Sequence, residues 1–78
     1  MMPALVLVDI QRDYFPGGRM EVVGAVEAAS VAQKLLHAFQ KKNLQIVHVQ
    51  HIAARAGATF LLPNTEGIDF HDSVKPLR

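Results

Sequence analysis

The sequence predicts an α/β fold built on one strand, helix, strand unit, and three observations lead to this prediction. An apolar run ends at Asp9, a segment with helical spacing of its apolar residues follows, and a run rich in β-branched residues comes after it. Strands that alternate with a helix are typical of parallel sheets with crossover connections. We therefore expect a first βαβ unit of a Rossmann-like parallel sheet, followed by a long loop.

The first strand is predicted over residues 4–8, where the sequence ALVLV is wholly apolar. Such a run is typical of a strand that is buried on both faces, as the central strands of parallel sheets are. Residues 10–23 contain Pro16, Gly17 and Gly18, which interrupt regular structure. They are predicted to form a loop at the carboxyl end of the first strand.

The helix is predicted over residues 24–42. Its apolar residues recur at three- and four-residue spacing, namely Ala25, Ala28, Ala32, Leu35 and Phe39. Gly24 is an acceptable N-cap, and Asn43 can adopt the left-handed conformation that ends many helices. The sequence therefore indicates both ends of an amphipathic helix.

A second strand is predicted over residues 45–50, because QIVHVQ alternates polar and apolar residues and contains the β-branched residues Ile46, Val47 and Val49. Residues 54–78 show no sustained period and contain two glycines and two prolines. A loop of that length is uncommon inside a compact domain. We interpret it as a connection to a third strand that this chain does not contain.

Composition narrows the class of protein. Half of the 78 residues are hydrophobic and 19% are charged, which is too apolar for a disordered segment. The net charge is +1 and the basic residues are scattered, so we expect no nucleic-acid or membrane partner. The chain has no cysteine, which excludes disulfides and a cysteine nucleophile within it and favours a cytoplasmic protein.

Asp9 is the first candidate for chemistry. Ligands bind beyond the carboxyl ends of the strands in open parallel sheets, and Asp9 directly follows such an end. A carboxylate there can accept or hold a proton, and its surroundings can tune its acidity. Position alone leaves an alternative open, in which Asp9 only caps the turn after the strand.

Residues 9–15, DIQRDYF, resemble the opening motif of the isochorismatase-like cysteine hydrolases, in which a strand ends in Asp-x-Gln-x-Asp-Phe or a close variant. The similarity continues through FPGGRMEV, GAVEAA, IVHVQH and ATFLLPNTEGIDFHDSV, and so covers essentially the whole chain. It implies that residues 1–78 are the amino-terminal part of one hydrolase domain, an incomplete three-layer α/β sandwich. The implied substrate is a small amide, enol ether or related molecule.

The resemblance also implies a catalytic aspartate, lysine and cysteine, of which only the aspartate has a counterpart here, Asp9. The family's lysine and cysteine lie beyond the matched segments, so we expect the chain to be inactive alone. Some relatives, isochorismatase among them, lack the cysteine, and the remaining region could be of either type. We expect Asp13 to hold the loop rather than contact substrate.

Three further residues are candidate substrate contacts. Tyr14 and Phe60 are aromatic residues near the expected site, where such side chains commonly form pocket walls. Phe15 is a third nearby aromatic, and at least one of the three is expected to pack in the core. His51 follows the second strand and is expected to face the pocket.

No metal site and no cofactor are predicted. His48 and His51 are three residues apart, which places them on opposite faces of a strand. The nicotinamidase branch of the family binds its metal through Asp-x-His after the second strand, and the corresponding place here is His51-Ile52-Ala53. The expected partners are a small-molecule substrate and either a second copy of the chain or a carboxyl-terminal portion. The alternative function is a non-catalytic fragment that acts as an oligomerising or interaction module.

Overall fold

The computed structural model describes residues 2–76, which contain two strands and one α-helix in the predicted order. β1 spans Ala4–Val8, α1 spans Ala25–Lys41 and β2 spans Gln45–Val49. β1 and β2 pair in parallel, which requires a crossover connection, and α1 provides it. The predicted βαβ unit is therefore confirmed, although β2 ends at Val49 rather than at residue 50.

Both ends of α1 follow the sequence signals. Gly24 is the N-cap and has φ 83°, a left-handed conformation that glycine adopts without strain. Asn43 has φ 59° and its N–H donates to the carbonyl of Gln40, while the N–H of Leu44 donates to the carbonyl of Phe39. These two bonds form a Schellman motif, so the prediction that Asn43 ends the helix is confirmed.

The core lies between α1 and one face of the sheet. Leu7 of β1, Leu36 of α1 and Val74 form its buried centre. Partly buried side chains surround them, namely Leu5, Ile10, Ala32 and Ile46. Burial of this apolar face accounts for the amphipathic pattern of the helix.

The opposite face of the sheet is open within the described residues. Val6 and Val8 are 54% and 55% exposed, and their partners Val47 and Val49 are 38% and 40% exposed. The burial on both faces that the apolar run indicates is therefore not seen within residues 2–76. Successive side chains of a strand point to opposite faces, and α1 covers only one of them.

The segment after β2 is more ordered than the sequence indicated. It contains two short 3-10 helices, Glu66–Ile68 and Asp72–Val74, and the second places Val74 in the core. Another 3-10 helix, Arg12–Tyr14, interrupts the loop after β1. The prediction of two irregular loops is thus wrong in detail, because short turns here are stabilised by packing that the local sequence does not show.

No helix within residues 2–76 is long and apolar enough to cross a membrane.

Candidate active site

Asp9 is at the carboxyl end of β1, as the sequence predicted. Its N–H donates to the carbonyl of Val49 at 3.0 Å, the last backbone bond between β1 and β2. Asp9 has φ 58°, in the left-handed region that aspartate adopts more readily than most residues. Its side chain is half-buried and forms no hydrogen bond with residues 2–76. The carboxylate is therefore available for a partner.

A cleft of about 280 Å³ lies beside Asp9. Its walls come from the loop after β1 and from the first turns of α1, and they comprise Ile10, Tyr14, Phe15, Val22, Ala25, Ala28 and Ala29. The alanines leave space where larger side chains would fill the cleft. A carboxylate beside an apolar recess can exchange protons with a small ligand held there.

Tyr14 lines this cleft and a second one. The second cleft has a volume of about 140 Å³ and is also lined by His51 and Phe60. The rings of Tyr14 and Phe60 meet edge to face, with centroids 6.1 Å apart and an angle of 64°. The structure therefore brings Tyr14, Phe60 and His51 together at the second cleft, whereas Asp9 lines the first cleft, which shares only Tyr14 with the second.

The Tyr14 phenol is in an environment that disfavours its ionised form. Burial is the largest cause, and the negative charges of Asp9 and then Asp13 add to it, so the pKa of Tyr14 is raised above its usual value of about 10. The phenol therefore stays protonated and can donate a hydrogen bond at neutral pH.

His48 of β2 and His51, which follows this strand, differ in their surroundings. The Nε2 atom of His48 is 2.7 Å from the carbonyl oxygen of Val74, so this nitrogen donates a hydrogen bond to it. The bond connects β2 to the 3-10 helix that ends at Val74. The backbone of His51 is held by Gln11, and its side chain lines the second cleft. Residues 2–76 contain no group of three histidine, cysteine or carboxylate side chains placed to hold a metal ion.

Asp13 is buried, and its carboxylate binds main-chain groups of the surrounding loops. It is 4% exposed, and its carboxylate accepts hydrogen bonds from the N–H groups of Arg19 at 3.2 Å and Leu61 at 2.5 Å. A Cβ atom on Gly67 would overlap this carboxylate. The expectation that Asp13 holds the loop agrees with these contacts.

Phe15 is the aromatic residue that packs in the core. It is 6% exposed and its ring stacks on His71, with centroids 3.9 Å apart. It forms one wall of the Asp9 cleft as well.

Gln11 is the residue that sequence reasoning missed. It is fully buried, and its amide forms three hydrogen bonds to main-chain atoms of His51 and Ile68. The sequence carries Gln11 as the glutamine of the Asp-x-Gln-x-Asp-Phe motif, which makes it part of the family resemblance but does not show what it binds. Long-range partners of this kind are not visible in a local pattern.

Comparison with known proteins adds a family and a fold. The family model described as the isochorismatase domain matches residues 3–78. The Bacillus subtilis (strain 168) protein YddQ, an uncharacterized isochorismatase family protein, is 47% identical over 77 residues, which are 99% of this chain and 43% of the relative.

Solved structures agree with this match. A protein from Oleispira antarctica assigned to the isochorismatase hydrolases superposes with a TM-score of 0.87 at 39% identity, covering 94% of this chain and 40% of that one. N-carbamoylsarcosine amidase from Thermoplasma acidophilum gives 0.85 at 23% identity, covering 97% and 47%, and so shows the same fold. The predicted α/β class is confirmed. The chain spans less than half the length of each of these three relatives.

Proposed function

Since the chain belongs to the isochorismatase family, we propose that it supplies the aspartate side of a hydrolase active site that acts on a small amide, enol ether or related substrate. The observation that carries this proposal is the position of Asp9. Its carboxylate lies at the end of β1 beside a cleft, half-buried and without a hydrogen bond to residues 2–76.

Asp9 is the proton acceptor and donor in this proposal. It takes the proton of a nucleophile and returns it to the leaving group, a role worth about 10²–10⁴-fold in rate. Family resemblance assigns the nucleophile to a cysteine, or in some relatives to a different arrangement, outside the segment matched here. General-base help alone falls short of the ~10⁶-fold or more that enzymes typically achieve. The 78-residue chain alone is therefore proposed to be inactive.

The lysines of the chain give no support for a complete site. Three of the four, Lys34, Lys41 and Lys42, lie on α1 or at its end, and Lys75 pairs with Asp72 at 3.2 Å. Hydrogen bonds from Arg12 and then Lys75 lower the pKa of Asp72, so this group is an exposed ion-pair cluster. None of these lysines lines the Asp9 cleft.

Tyr14 and Phe60 are proposed to form substrate walls, with His51 at the edge of the second cleft. The two clefts have volumes of about 280 and 140 Å³, and so suit a small ligand rather than a polymer. The protonated phenol of Tyr14 adds a hydrogen-bond donor between them.

The test is a chimera in which this chain replaces the matching segment of YddQ. Turnover of a panel of small amides and of isochorismate is compared for the chimera, the isolated chain and the remaining YddQ segment alone. We expect turnover by the chimera only. Robust turnover by the isolated chain would contradict the proposal.

A second candidate function is a non-catalytic module that associates with other chains. The open sheet face favours it, because Val6 and Val8 are about half exposed on a parallel sheet, a type usually covered on both faces. Sedimentation separates the two functions. Stable oligomers together with an inactive chimera would favour the module.

A further inference from the structure

Gln11 is a fully buried polar residue whose amide satisfies main-chain atoms from two distant segments. Its Nε2 donates to the carbonyl oxygens of His51 at 2.8 Å and Ile68 at 2.9 Å, and its Oε1 accepts the N–H of His51 at 2.8 Å. Buried amides are retained when their hydrogen bonds are met, and three of the four that glutamine can form are met here.

The Gln11 amide extends the pairing of the two strands beyond Asp9. Backbone pairing of β1 with β2 ends where the N–H of Asp9 donates to Val49. Asp9 then takes a left-handed conformation, and the main chain turns away. The Gln11 side chain next engages both the N–H and the carbonyl of His51, as a neighbouring peptide group would. The main chain is therefore bonded to the end of β2 on both sides of the Asp9 turn, at Val49 before it and at His51 after it.

The other side of this turn is held as well. The carbonyl of Ile10 accepts the N–H of His71, the N–H of Arg12 donates to the carbonyl of Asp69, and Gln11 forms an antiparallel bridge with Phe70. The main chain flanking Gln11 thus pairs with residues 69–71 while its side chain pairs with His51. Gln11 therefore connects three segments, namely its own loop, the residue after β2 and the segment of residues 68–70.

We infer that Gln11 is a positioning residue for Asp9, which fixes the left-handed turn so that the Asp9 carboxylate faces the cleft. This inference rests on the proposed role of Asp9. It assigns Gln11 no contact with substrate, because its side chain is fully buried and directed toward main-chain atoms. A loss of its hydrogen bonds lets the turn relax and displaces the carboxylate from Tyr14.

The first test measures the separation of Asp9 from Tyr14 without any assay of activity. Tyr14 is the single tyrosine of the chain, so titration of phenolate absorbance reports it alone. The drop in the Tyr14 pKa on Asp9→Asn is measured in the wild-type background and again with Gln11→Met. Circular dichroism at each pH checks that the helix is intact.

The matched control is Gln50→Met. The Gln50 side chain donates to the same carbonyl of Ile68, at 2.8 Å, but from an exposed position and without a bond to His51. We expect Gln11→Met to reduce the effect of Asp9→Asn on Tyr14 to less than half, and Gln50→Met to leave it unchanged. An undiminished effect in folded Gln11→Met would overturn the inference.

A more conservative variant guards against loss of folding. Gln11→Asn keeps an amide but shortens its reach, and it is judged by the same criterion if Gln11→Met does not fold. Loss of folding in both variants would also overturn the inference, because Gln11 would then serve the fold as a whole rather than the position of Asp9.

The second test uses the chimera with YddQ. A misplaced catalytic group lowers the rate of the chemical step, so we expect Gln11→Asn to lower kcat by about 10²-fold with KM nearly unchanged. The same change in an Asp9→Asn background should cost little more, because the group being positioned is already gone. Equal losses in both backgrounds would contradict the inference. An inactive chimera would count against the proposed function alone, and the titration would still decide the role of Gln11.

Discussion

Replacing Asp13 by alanine removes the acceptor of two main-chain hydrogen bonds in a buried position. The bond from Leu61 is the more important, because Leu61 is 1% exposed and is held at φ 54°, a conformation that a bulky side chain adopts rarely. Its carbonyl accepts the N–H of Ala53, so both main-chain polar groups of Leu61 are hydrogen-bonded and the loop at the second cleft is fixed at this residue.

The magnitude follows from these contacts. Hydrogen bonds to a charged group are worth about 1.5–3 kcal/mol each, and two are lost. Relaxation of the left-handed Leu61 returns about 1–2 kcal/mol. We therefore expect Asp13→Ala to lower the free energy of unfolding by about 1–5 kcal/mol, a large part of the roughly 4–12 kcal/mol typical of a chain of this length.

The assay is urea unfolding followed by circular dichroism of the helix. Asp69→Ala is the control, because Asp69 is exposed and its side chain forms no hydrogen bond with residues 2–76. The control should change the free energy of unfolding by less than about 0.5 kcal/mol. A loss below about 1 kcal/mol for Asp13→Ala would refute the view that this carboxylate holds the loop.

Three further predictions concern the pH response, the open sheet face and metals. The Tyr14 pKa, read from phenolate absorbance, should lie above 10 and fall on Asp9→Asn; an unchanged value would place Asp9 too far away to matter. Because the folded-state pKa is raised, the contribution of Tyr14 to stability is present below about pH 10 and is lost as the pH rises through the folded value. The isolated chain should associate through its open sheet face, and Val6→Lys with Val8→Lys should reduce the sedimentation coefficient; a sharp monomer peak for the unaltered chain would contradict this. Protein purified without chelator should carry no stoichiometric zinc or iron, whereas metal that is lost on His51→Ala would disprove the absence of a site.

The regular elements could be predicted because local physics determines them. The apolar run of β1, the helical spacing of α1 and the left-handed Asn43 each act within a few residues, and each is where the sequence indicated. The parallel pairing follows from the order of the elements alone. The position of Asp9 was predictable for the same reason, since it depends only on where β1 ends.

The remaining features depend on contacts between residues far apart in the sequence. Gln11 binds His51 and Ile68, which are 40 and 57 positions away. Val74 enters the core from a segment that has no period of its own. One face of β1 is open within residues 2–76, because an apolar run shows what a strand can bury, whereas the elements packed on it determine what is buried.

The sequence indicated candidate site residues that lie near one another, but it did not indicate how they are arranged. Tyr14, Phe60 and His51 surround one cleft, and Asp9 opens on another that shares only Tyr14 with it. Sequence motifs indicate which residues are near a strand end. The path of the loop determines which of the two clefts each residue lines. Gln11 and Asp13 fix that path through their hydrogen bonds to His51 and Leu61.

The central claim is that Asp9 performs the proton transfer, and turnover by the YddQ chimera with Asp9→Asn tests it most directly. The amide is nearly isosteric but cannot take a proton from a nucleophile, so kcat should fall by at least about 10²-fold. Asp69→Asn, the same chemical change at an exposed site, should leave kcat unaltered, and circular dichroism should show both variants folded. A chimera that turns over its substrate equally well with Asp9→Asn would show that this residue does not carry the chemistry.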